Sequence, residues 1–148
     1  VDVRYVAAGR DAAAAFSAWL KFRASPRTPV LVLANRGTSP DLRRVLGEPH
    51  RGTGFAVIGI AGADVVPDLP VRGTPESERA AYDALEQGTP LPTLLKENPD
   101  KVRNDEARLL RPPAPAPKGE AAAPAVIDAT LQRAVHLHRA LTALRRNP

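Results

Sequence analysis

Two short, unbroken apolar runs, Pro29–Ala34 and Phe55–Ile60, constrain the fold more than any other feature of the chain. Neither alternates with polar residues, so each reads as a strand covered on both faces, the pattern of a parallel sheet. Between them, Pro40–Leu46 reads as a short helix with Leu42, Val45 and Leu46 inward and Gly47 as its C-terminal cap. Upstream, Val1–Val6 alternates and is rich in β-branched residues, which predicts a strand. Gly9 and Arg10 break it, and Asp11 caps a helix running to about Phe22. Phe16, Trp19 and Leu20 fall at i, i+3 and i+4 and give that helix one apolar face; Ser25 and Pro26 end it. Downstream, Pro67–Val71 carries too much proline for a central strand and suits a sheet edge. Thr74, Pro75 and Glu76 open a helix through Ala80, Ala81, Tyr82 and Leu85, closed by Gly88. This alternation predicts an α/β fold, a mostly parallel sheet flanked by helices, with Leu31, Leu33, Val57 and Ile58 almost fully buried.

The last third reads differently. Leu91–Leu95 and Asp105–Leu110 predict short helices, and Pro112–Pro124 is a low-complexity Pro/Ala stretch expected to be extended. The chain therefore divides into an α/β domain over 1–111, a Pro/Ala-rich linker over 112–126 and a docking helix over 127–148. That helix starts at Asp128 and runs to about Arg145. At 100° per residue, Ile127, Leu131, Ala134, Val135, Leu141 and Leu144 share one broad face. His138 falls near the centre of the face and His136 opposite. Burial of Leu131, Val135, His138 and Leu141 is expected, against the chain's own domain or against a second copy, the latter making a homo-oligomer. Two histidines two residues apart do not form a helical metal pair, and no metal or cofactor site is read in the sequence.

Composition bounds the function. The chain has 148 residues, enough for one domain with a real core, and 43% hydrophobic residues. No apolar run approaches the roughly 20 residues that span a bilayer. Cysteine is absent, which removes disulfides, thiol nucleophiles and cysteine zinc sites. The net charge is +5 and the pI about 10.2. The 17 arginines and 4 lysines are dispersed, and three Phe, two Tyr and one Trp offer few stacking platforms. A solvated basic surface, not a nucleic-acid interface, follows. The chain opens at Val1 inside an apparent strand and contains no Met, so it reads as part of a longer chain.

Several short motifs occur in a consistent order. Asp2, Val3 and Arg4 precede a small-residue loop that ends in Gly9. Val32–Ser39 reads VLANRGTS. Ala56–Gly59 reads AVIG, and Val66–Val71 reads VPDLPV. Asp128, Leu131, Ala134, Leu137 and Leu141 space out the last helix. Together they resemble the C-terminal processing (tail-specific) serine peptidases over residues 1–75, with the last helix added. The resemblance implies the C-terminal part of a ClpP/crotonase-like domain and a periplasmic or secreted location. It also implies a Ser-Lys dyad in which a neutral lysine takes the serine proton, with Ser39 at the nucleophile's position. The loop where the lysine is expected, Ile60–Asp64, has none, and no lysine lies between Lys21 and Lys96.

Ser39 has two readings. Serine is a favoured helix N-cap and proline a favoured first residue, so Ser39-Pro40 is explained without catalysis. As a nucleophile it needs a base, and His50 lies past a helix that carries the chain roughly 10 Å away. Gly9, Thr38 and Ser39 are the candidate ligand-binding residues, since free amides at a helix N-terminus can hold an anion or a peptide carboxylate. The carboxylate pairs Glu76/Glu78 and Asp105/Glu106 are expected on exposed first turns, where they offset the helix dipole. GxSxG, GxGxxG and phosphate-loop patterns are absent. The reading favoured is a non-catalytic relative that binds peptide or protein segments or serves in scaffolding and assembly. The alternative is a serine peptidase whose base comes from residues before Val1 or from another subunit.

Overall fold

A computed structural model of the chain describes residues 1–47, 54–62, 66–95 and 126–146. Its elements, in order, are α1 (Arg10–Arg23), β1 (Val30–Leu33), α2 (Pro40–Gly47), β2 (Phe55–Ile60), β3 (Leu69–Val71), α3 (Pro75–Glu86), α4 (Leu91–Leu94) and α5 (Ala129–Arg146). The three strands pair in the order β1-β2-β3, both pairs parallel, with Val32 beside Val57 and Ile58 beside Leu69. This is the α/β architecture expected. Asp105–Leu110, Pro112–Pro124, His50 and Asp64 lie outside the described residues.

Side chains alternate across the sheet, so each strand serves two layers. Val3, Val32, Ala34 and Val57 face one way and join Ala13 and Leu20 of α1 with Leu42 and Leu46 of α2 in one buried cluster. Leu33 and Ile58 face the other way and are also buried. On that side α5 packs across β1, β2 and β3. The C-terminal helix therefore docks on the chain's own sheet.

The predicted strand Val1–Val6 is cut short. Asp2 bridges Leu33 in parallel, and Val3 N–H donates to Leu33 O at 2.9 Å. The chain then turns: Arg4 N–H donates to Asp2 Oδ1 at 3.0 Å, and Tyr5 takes a left-handed φ of 57°. A left-handed residue cannot continue a strand.

At the other edge, β3 meets β2 only from Ile58 onward. Just before that point Val57 N–H donates to Asp68 Oδ2 at 2.8 Å, a carboxylate standing where a strand would otherwise satisfy the amide. Thr74 caps α3 by a reciprocal pair of bonds with Ser77, and Gly88 turns the chain after it with φ 85°. Both match the sequence reading.

Four expectations need correction. α1 begins at Arg10 with Gly9 as N-cap and no side-chain cap, so Asp11 acts only through its charge in the first turn. Trp19 is 39% exposed, because the inward stripe runs through Ala13, Phe16 and Leu20 and leaves Trp19 stacked on Phe16 at its flank. Leu31 is half-buried, since it faces an open groove. His138 and Leu144 are exposed, because only the first turns of α5 lie fully over the sheet, where Asp128 and Thr130 are buried. Among the described residues, no helix is long and apolar enough to cross a membrane.

Candidate functional site

Asp2 and Arg4 are two apart in extended chain and share a face. Both turn away from the α1–α2 core that receives Val3. Arg4 is fully buried. Its Nε lies 3.1 Å from each Asp2 oxygen and its Nη2 2.7 Å from Asp2 Oδ2. On the opposite side Nη1 and Nη2 reach Asp128 Oδ1 and Oδ2 at 3.0 and 2.8 Å, a forked pair that suits guanidinium geometry. Asp128 Oδ1 also accepts the Leu131 N–H at 2.9 Å and so caps α5. Glu78 of α3 brings Oε1 to 3.9 Å from Arg4 Nη1. Its two oxygens accept bonds from Thr130 Oγ1 and Asn35 Nδ2, each at 3.0 Å.

One buried cation thus ties the N-terminal segment to α5, and Glu78 adds α3 and the turn after β1. Burial works against the Arg4 charge. Hydrogen bonds to Asp2 and Asp128, together with their charges, override it and hold the guanidinium above its ordinary value. Aromatic rings close the outer side: Tyr82 lies under Arg4 at 5.5 Å, Tyr5 meets Tyr82 edge-on at 4.9 Å, and Arg79 lies over Tyr5 at 4.6 Å.

Glu78 corrects the sequence reading. It is 6% exposed and part of the clasp, not a solvated first-turn acid. The available signal was its spacing. It precedes Ala81 and Tyr82 by three and four residues, and Ala81 is fully buried while Tyr82 is half-buried. Thr130 and Tyr82 were also passed over as polar partners.

The segment after β1 is a second polar knot. Asn35 N–H donates to Thr38 Oγ1, whose hydroxyl donates to Val3 O, each at 3.0 Å. Gly37 N–H donates to Asn35 Oδ1 at 2.9 Å. Gly37 lies against the Tyr5 ring with no room for a Cβ. Thr38 is 1% exposed, and its hydroxyl is committed in both directions, so the side chain is closed to a ligand.

Ser39 is half-buried. Its N–H donates to Val6 O at 3.1 Å, which joins its loop to the loop leading to Gly9. Its Oγ accepts the Leu42 N–H at 3.5 Å, a long helix-capping bond. Gly9 is exposed at the start of α1. Lys21, the one lysine among the described residues, sits far along α1 beside Val45 of α2. At 1.5 Å per residue it lies roughly 15 Å beyond the helix start, which is the end near Ser39. His136 and His138 are exposed on α5. No described lysine or histidine side chain therefore serves Ser39. Among the described residues, no group of three His, Asp or Glu side chains is arranged to hold a metal.

One large groove opens beside β1, with a volume of about 810 Å³. α1 supplies Trp19, Phe22 and Arg23 to one wall, α5 supplies Leu131, Val135 and His138 to the other, and Val30 and Leu31 form part of the floor. Phe22 is 83% exposed there. Set against family models, curated proteins and solved structures, the chain matches none.

Proposed function

We propose that this chain is a non-catalytic relative of the C-terminal processing peptidases, a ClpP/crotonase-like domain that binds peptide segments or holds them in an assembly. The observation that carries the reading is the use made of the motif residues. Asp2, Arg4, Asn35, Thr38, Asp68 and Asp128 all spend their polar groups on the scaffold. Ser39 spends its hydroxyl on a helix amide, with no described base beside it. An unassisted serine hydroxyl is a weak nucleophile near neutral pH. The periplasmic or secreted location is part of the same proposal and rests on the resemblance alone.

The test is chemical. A fluorophosphonate probe applied to the chain should leave Ser39 unlabelled. Casein and nitrophenyl esters should be turned over no faster by wild type than by Ser39→Ala. Labelling at Ser39, or turnover that disappears in a folded Ser39→Ala, replaces the proposal with a serine hydrolase.

A further inference from the structure

We draw no further inference here: the strongest candidate, the shallow groove between α1 and α2 lined by Ala14, Ser17 and Ala18 and bounded by Arg10 and Lys21, is a stripe of small residues between two exposed cations, and nothing in the structure shows what covers it.

Discussion

Arg4 and Asp128 meet in a forked ion pair at 3.0 and 2.8 Å, with neither side chain exposed to solvent. The pair fastens the first residues of the chain to the start of α5 and lies on the sheet face opposite the α1–α2 core. Removing one partner of a buried pair leaves the other charge without compensation. Here the asymmetry is large. Arg4 is shared by Asp2, Asp128 and Glu78, whereas Asp128→Asn keeps most of the shape and the other contacts. Arg4→Met should therefore cost about 3–5 kcal/mol, and Asp128→Asn about 1.5–3 kcal/mol. Arg4→Lys should fall near Arg4→Met, because an ammonium cannot fork across two carboxylates. Urea unfolding midpoints check the order, and a small effect of Arg4→Met sinks the clasp.

A second consequence concerns residues 96–125. Asp128 N–H donates to Leu94 O at 2.9 Å, so the chain leaves and re-enters the described structure at neighbouring points. Replacing 97–125 with about five Gly/Ser residues should leave the fold intact and, through the shorter loop closure, stabilise it by about 1–1.5 kcal/mol. Unchanged circular dichroism with an unfolding midpoint at or above wild type is the expected result. Loss of the α5 signal would show that the excised residues hold the helix down.

How much of this was legible beforehand depends on whether a contact is local. β2 was read residue for residue, because an apolar run covered on both faces leaves its mark on every position. The Thr74 cap and the Gly88 turn are likewise local chemistry. The end of the first strand was not legible: Val6 has strand propensity, but Tyr5 is turned left-handed beside Gly37, thirty-two positions along the chain. Asp2 and Arg4 stood out only through a resemblance, and Asp128 through that and the start of a helix, and neither signal says that they touch. Glu78 was misplaced because an acid in a first helical turn ordinarily faces water. His138 was misplaced because a helical wheel finds an apolar face but not how far along the helix that face is covered.

The tyrosines set a pH limit. Burial, followed by the charge of Glu78, raises the Tyr5 phenol above its ordinary value. Burial, followed by Glu86, does the same for Tyr82. A raised folded-state value means that the folded chain holds its phenolic protons when the unfolded chain has begun to lose them. Stability from these groups is fully present below the unfolded value, near 10, and is lost as pH rises through the folded one. The thermal midpoint should fall from about pH 10 upward. Tyr5→Phe and Tyr82→Phe keep the rings and should each flatten the fall. An equally steep fall in both variants assigns the alkaline loss to other groups.

The last prediction separates the two adjacent hydroxyls at the start of α2. The Thr38 Oγ1 accepts from Asn35 N–H and donates to Val3 O in a fully enclosed setting, so it connects the turn after β1 to the N-terminal segment. Thr38→Val keeps the volume but leaves a buried amide and a buried carbonyl without that partner, which should cost about 1–3 kcal/mol. Ser39 offers its oxygen to Leu42 N–H at 3.5 Å, near the limit of a hydrogen bond, while its own N–H bond to Val6 is backbone and survives substitution. Ser39→Ala should therefore sit at the low end for a lost cap, about 0.5 kcal/mol. A nucleophilic serine predicts the reverse emphasis: Ser39→Ala would be silent in stability and decisive in turnover. Unfolding midpoints and ester hydrolysis measured on the same two variants distinguish these patterns. A stability loss larger in Thr38→Val than in Ser39→Ala, with no change of turnover in Ser39→Ala, places both hydroxyls in the scaffold.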